Sequence, residues 1–228
     1  GLRKVGDPNT LAKRYYNQGI DEIILMDAVA AYYGRNSLFK IIEKASEDVF
    51  IPITVGGGIR TIGDIKSALK SGADKVAINT EAVKNPNFVT EASETFGSQC
   101  IVASIEAKRM GEGSWNCYTE NGREPTNLSV LTWAKELENL GAGEILITSV
   151  DAEGTKRGAD LDLLKAVSKV VSIPLIVCGG VGSVGHCIEI MAITGVDALA
   201  VSSILHYNVS TVQEIKSSVS LPGIKVRK

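Results

Sequence analysis

The sequence predicts an α/β protein, a (β/α)8 barrel assembled from two half-barrel repeats. Short β-branched runs alternate with amphipathic helical stretches along the whole chain, the pattern of repeated βα units. The strand runs carry few polar residues until their C-terminal ends, as parallel strands buried on both faces do. The chain also repeats itself at an offset of 122 residues, or 123 after one insertion. Its 228 residues suit one such domain. The 44% hydrophobic and 22% charged content is ordinary for a globular protein with a sizeable core.

In chain order, a helix is expected near 8–18, followed by a strand over 22–27. Residues 36–49 read as a helix because Leu38, Ile41, Ile42, Ala45 and Val49 share one face. Strands follow over 51–57, 75–79 and 101–106. A helix near 127–140 leads to a strand over 144–150. Leu161, Leu164, Val167, Val170 and Val171 recur at helical spacing, and strands over 175–180 and 198–203 complete the series. That makes seven strands and eight helices, whereas a closed barrel needs eight strands.

The repeat is carried by three blocks. Gly19-Ile-Asp-Glu-Ile-Ile-Leu returns 122 residues later as Gly141-Ala-Gly-Glu-Ile-Leu-Ile. Ile51-Pro52 with Gly57-Gly58 returns as Ile173-Pro174 with Gly179-Gly180, and Gly72-x-Asp74 as Gly195-x-Asp197. One domain of two tandem half-barrels is therefore expected, about 1–98 and 99–228, a period too long for a solenoid. In the second half a strand precedes the helix near 127–140. Its counterpart in the first half falls before residue 1, so the first strand is expected to be absent from this chain.

Bulk properties narrow the partners. A net charge of −2 argues against nucleic acid or an anionic membrane as a bulk partner. No apolar run reaches the ~18 residues of a membrane span. Cys100, Cys117, Cys178 and Cys187 show no Cys-x-x-Cys spacing, so they read as reduced thiols in a cytoplasmic setting. His186 and His206 read as structural, and neither a metal constellation nor a cofactor motif is evident.

In such barrels the binding and catalytic groups stand at the C-terminal strand ends. Those positions carry Asp27, Gly56-Gly57-Gly58, Asn79-Thr80 and Glu106 in the first part of the chain. Thr148, Ser149, Asp151, Glu153-Gly154, Gly179-Gly180 and Ser202-Ser203 follow. Glycine turns let backbone N–H groups approach an oxyanion, and hydroxyls and an amide add donors. Because Gly58 with Asn79-Thr80 corresponds to Gly180 with Ser202-Ser203, two equivalent anion sites are expected at one mouth, suited to a ligand with a phosphate at each end. The glycines also suit tight strand–helix turns without any ligand. Asp27, Glu106, Asp151 and Glu153 are the carboxylates on this face. Partial burial at a strand end suits such a group to general acid/base work. Glu22, Lys75 and Glu144 mark the opposite, N-terminal mouth with charges of both signs. They suit either mutual neutralisation or a gate on the barrel axis.

The chain resembles the cyclase subunit of imidazole glycerol phosphate synthase, the HisF family, from after that family's first strand onward. The resemblance rests on Val5-Gly-Asp-Pro8, Thr54-Val-Gly-Gly-Gly-Ile59, Gly72-Ala-Asp-Lys-Val76 and Ile78-Asn-Thr80. It rests equally on Gly141-Ala-Gly-Glu-Ile145, Asp151 to Gly158 and Gly179-Gly180. Phe96-Gly-Ser-Gln99 and Glu106-Ala-Lys-Arg109 look like the cyclase rather than the related single-chain isomerase. The resemblance implies a TIM-barrel lyase of histidine biosynthesis. It implies a glutaminase (HisH-like) partner at the N-terminal face, from which ammonia passes through the barrel. The implied substrate is a bis-phosphorylated ribulosyl-formimino aminoimidazole carboxamide ribonucleotide. Gly58, Asn79 and Thr80 would hold one phosphate, and Gly154, Gly180, Ser202 and Ser203 the other, with Asp27, Thr148 and Glu153 lining the site. Glu22, Lys75 and Glu144 match the family's ammonia gate and Asp74 its partner contact. Glu106 stands where the family has one of two catalytic aspartates; the other, with a lysine, lies on the family's first strand. Glu153 also replaces an aspartate. These changes open an alternative, a HisF-like paralogue that conducts ammonia for amidination of a surface-polysaccharide sugar.

Overall fold

The structure is a computed structural model that describes residues 5–27, 37–220 and 226–227. Seven parallel strands follow one another in a single curved sheet. They are β1 (Ile23–Met26), β2 (Ile53–Gly56), β3 (Lys75–Ile78), β4 (Ile101–Gly111), β7 (Glu144–Ser149), β8 (Leu175–Cys178) and β9 (Ala198–Ala200), in that spatial order. Helices separate every consecutive pair. The result is a nearly closed (β/α)8-type barrel. Among the described residues β1 and β9 are its two edges.

Alternation along each strand sorts the side chains into two populations. Ile53, Val55, Val76, Ile78, Ile101, Ala103, Ile105, Ile145, Ile147, Leu175 and Val177 belong to one large cluster with helix residues such as Ile42, Ile65, Leu137, Leu163 and Ile190. This is the layer between sheet and helices. The opposite parity gives a separate small cluster, Ala77, Val102, Leu146 and Ile176, with Ile24, Cys178 and Ala200 against it. That cluster lines the barrel interior. Counting by twos along these strands puts Lys75 and Glu144 on the interior face at one end. Asn79, Glu106 and Thr148 lie on the same face at the other end.

Most predicted elements are found, with shorter ends. The strands stop before Gly57, Asn79, Gly179 and Ser202 because the backbone turns there. Gly57 and Gly179 have φ +96° and +102°, and Asn79 and Ser202 have ψ −79° and −67°. Helix Ser37–Asp48 buries Ile42 and Ala45, with Val49 just past its end; Asn36 and the Leu38 side chain lie outside the described residues. The later helix is Leu161–Val167, so Val170 and Val171 follow it in a turn.

The expected helix near 127–140 needs a larger correction. It begins only at Val130, because residues 124–129 form a strand. β4 runs five residues past Glu106 and pairs with an antiparallel hairpin, β5 (Ser114–Thr119) and β6 (Glu124–Ser129). Glu120 and Asn121 take φ +53° and +59° at its tip.

A carboxylate anchors the base of this hairpin. Asp160 Oδ2 accepts from Trp115 Nε1 at 2.8 Å and from Arg109 Nε at 3.1 Å, and Oδ1 accepts from Leu163 N at 3.1 Å. Arg109 also stacks on Trp115. Burial alone would raise the Asp160 pKa, but Arg109, Trp115 and the Leu163 N–H outweigh it and hold the carboxyl below the ordinary 3.8. A depressed carboxyl contributes stability above its unfolded pKa and loses it as pH falls through the folded value. Asp160→Ala removes a helix cap and the hydrogen bonds from Trp115 and Arg109, an expected loss of about 2 kcal/mol at neutral pH. Urea unfolding at pH 7 and at pH 3 checks this, and the difference from the parent protein should shrink at the lower pH.

Candidate active site

An ion triad stands at the N-terminal end of the barrel interior. Lys75 Nζ lies 2.9 Å from Glu22 Oε2 and 2.6 Å from Glu144 Oε1. Partial burial alone would lower the Lys75 pKa; the bonds to Glu144 and Glu22 outweigh it and hold the amine above its ordinary 10.5. The second Glu144 oxygen is buried without a hydrogen-bond partner. Lys75→Met leaves both carboxylates without their cation, and is expected to cost about 2–4 kcal/mol. The raised lysine contributes its stability below its unfolded pKa and loses it as pH climbs through the folded value. The deficit should therefore hold at pH 7–9, and adding Glu144→Gln should recover part of it. Denaturant melts of both variants test this. Asp74 is exposed nearby, and its carboxylate accepts from Ile53 N at 2.8 Å. Asp197 does the same for Leu175 N at 2.9 Å.

At the other end Glu106 is half-buried, next to Thr148 in the β4–β7 register. Its Oε2 accepts from Gly122 N of the hairpin tip at 2.8 Å. Burial raises its pKa above the ordinary 4.5; the Gly122 N–H and the Asn79 amide pull it down, and nearby Glu120 pushes it up. The Asn79 amide also donates to Tyr118 O at 3.1 Å, and Glu120 N donates to Thr80 Oγ1 at 3.4 Å. The hairpin tip thus meets three of the predicted site residues.

The remaining residues gather as follows. Asp27 directly follows β1, where its N–H donates to Gly56 O at 2.9 Å. Gly58 follows β2 with φ +72°. Gly154, Gly180, Ser202 and Ser203 line one pocket with Glu153, Lys156 and Cys178. Thr148 bonds the Cys178 thiol, which burial pushes up to about 11. Desolvation also raises the Glu153 carboxyl, although the residue as a whole stays exposed. Asn79 and Ser202 have nearly the same backbone, φ/ψ −124°/−79° and −129°/−67°. In strand order Glu106 stands between the β3 end and the β8–β9 pocket.

The two histidines have local partners. His206 Nδ1 is 2.6 Å from Tyr15 Oη, and His186 Nδ1 accepts from Gly182 N at 3.2 Å. Among the described residues no group of three or more His, Cys, Asp or Glu side chains is arranged to hold a metal ion. Among them, no helix is long and apolar enough to cross a membrane.

The sequence reading missed two features of this mouth. The first is the hairpin tip, although Asn121-Gly122 between alternating residues is a turn signal. The second is Lys156, which reaches the pocket only through the path of its loop.

Barrel, axis and polar mouth together define an enzyme-type (β/α)8 barrel with its groups at the C-terminal strand ends. Residues 1–211 match the family described as Histidine biosynthesis protein. Imidazole glycerol phosphate synthase subunit HisF of Bacillus cereus (strain G9842) is 47% identical over 227 residues, covering 100% of this chain and 90% of that protein. The chain belongs to this family and is of the HisF cyclase class.

Proposed function

We propose that the chain is the cyclase subunit of an imidazole glycerol phosphate synthase, folded from half-barrels of about 1–98 and 99–228. The observation that carries the reading is Glu106: a half-buried carboxylate on the interior face of β4, between two similarly shaped strand-end turns. A glutaminase partner docks at the N-terminal face, near Asp74. Ammonia passes Glu22, Lys75 and Glu144 and travels along the apolar interior. At the mouth it meets the bis-phosphorylated ribulosyl-formimino aminoimidazole carboxamide ribonucleotide. Gly58, Asn79 and Thr80 hold one phosphate. Gly154, Gly180, Ser202 and Ser203 hold the other, and Asp27, Thr148 and Glu153 line the space between. Glu106 moves protons during cyclisation and cleavage, which yield imidazole glycerol phosphate and aminoimidazole carboxamide ribotide.

Ser203→Ala should raise KM about tenfold and leave kcat within about threefold. Asn79→Ala should affect both, since Asn79 also bonds Glu106. Steady-state kinetics decides, and an unchanged KM in both variants removes the phosphate assignment.

The ammonia-conduit reading has one observation in its favour. Glu106 is one methylene longer than the aspartate of the family, and it is already engaged by Gly122 N. A carboxylate that only holds the hairpin would leave a passage without cyclase chemistry.

A further inference from the structure

We propose that Lys156 is the anion-pairing residue of the β8–β9 pocket, supplying the positive charge that holds the ligand's phosphate there. The inference rests on the bis-phosphate reading above. Five of the other pocket residues are Glu153, Gly154, Gly180, Ser202 and Ser203, and Lys156 is the one cation among the pocket residues described. Glycine N–H groups and hydroxyls can donate to a phosphate, but none of them balances a dianion. A lysine ammonium on a flexible stem does so as a point charge.

Three features support this role. Lys156 forms no salt bridge among the described residues. Its ammonium instead rests 4.1 Å from the centroid of the Tyr207 ring. Tyr207 directly follows helix Ser203–His206, and four residues at helical rise separate it from Ser203, about 6 Å. Lys156 itself lines the same pocket as Ser202 and Ser203.

The backbone shows the same constraint. Lys156 has φ +60°, a left-handed conformation that an unbranched lysine gains nothing locally by adopting. Gly182 packs directly against this residue. A Cβ there would collide with the Lys156 carbonyl oxygen and stand 2.5 Å from Lys156 Cβ, so the two segments cross where only glycine fits. Backbone strain over-determined in this way recurs at ligand clamps. Lys156, at this crossing, is among the residues that line the pocket.

The test uses inorganic phosphate as a titrant, followed by steady-state kinetics with the bis-phosphorylated substrate. Lys156→Gln removes the charge, Lys156→Gly also relieves the positive φ, and Lys156→Arg keeps the charge. Gln and Gly variants should bind phosphate about tenfold more weakly and raise KM to a similar degree, with kcat within about twofold. The Arg variant should recover most of the affinity, and the Gly variant should melt no lower than the parent. Phosphate affinity within twofold of the parent in Lys156→Gln overturns the assignment. If the parent turns over the substrate while Lys156→Gln keeps its KM, only this inference fails. If Lys156→Gln loses phosphate binding and the parent shows no cyclisation, the lysine assignment stands and the cyclase reading falls. A parent that binds no phosphate overturns both.

Discussion

Glu106→Gln is expected to lower ammonia-dependent turnover by about 10²–10⁴-fold, with substrate KM changed only a few-fold. The substitution keeps the length of the side chain and an oxygen able to accept from Gly122 N, which Glu106 holds at 2.8 Å. What it removes is the titratable carboxyl. Burial raises the Glu106 pKa above 4.5, against the opposing pull of the Gly122 N–H and the Asn79 amide. If the ionised form is the working base, the acid limb of kcat/KM in the parent lies above pH 4.5 and disappears in the variant. Stability should move the other way. A carboxyl with a raised folded pKa favours folding most below its unfolded pKa, and that advantage is lost as pH rises through the folded value. Glu106→Gln should therefore be more stable than the parent at pH 7 and should lose that advantage below pH 4.5. Full activity in this variant would remove Glu106 from the mechanism.

Gly180→Ala is expected to be strongly destabilising for a single added methyl. Gly180 has φ +86°, and an added Cβ would collide with the Gly158 carbonyl oxygen and stand 2.7 Å from its carbonyl carbon. The two glycines are already joined, Gly158 N donating to Gly180 O at 2.8 Å. Left-handed strain of about 1–2 kcal/mol adds to overpacking of about 1–3 kcal/mol against backbone that cannot swing aside. Gly154→Ala provides the control. Gly154 has φ +73°, but nothing lies within 4 Å of its added Cβ, so only the strain applies. In thermal melts Gly180→Ala should lose more than Gly154→Ala, by several degrees for a domain of this size. It should also lose affinity for a phosphate-bearing ligand, because Gly180 lines the pocket. Equal melting points for the two variants would mean that the Gly158–Gly180 contact relaxes freely.

Much of the barrel was legible because its strands obey a parity rule. Ile145 and Ile147 face the helices while Leu146 lies inside, so an unbroken apolar run marks a strand buried on both sides. Charged residues at a strand start, such as Lys75 and Glu144, stand out against that run, and they meet as an ion pair. The hairpin was harder to read. Trp115, Cys117 and Thr119 alternate as buried residues, but polar neighbours and Pro125 make 112–126 look like a loop. Its anchor was not legible at all. Arg109, Trp115 and Asp160 meet across separations of 51 and 45 residues, and such contacts leave no local period. Lys156 is hidden for the same reason, since its loop's path depends on Gly182 and its parking place on Tyr207.

The central claim, an ammonia-dependent cyclase, is tested most directly by turnover. The protein is supplied with an ammonium salt and the bis-phosphorylated formimino ribonucleotide, and imidazole glycerol phosphate formation is followed. Formation of that product at a rate that saturates with substrate is the predicted result. Tight binding of the ribonucleotide with no product would contradict the cyclase, and would leave a barrel that binds and conducts ammonia without performing the chemistry.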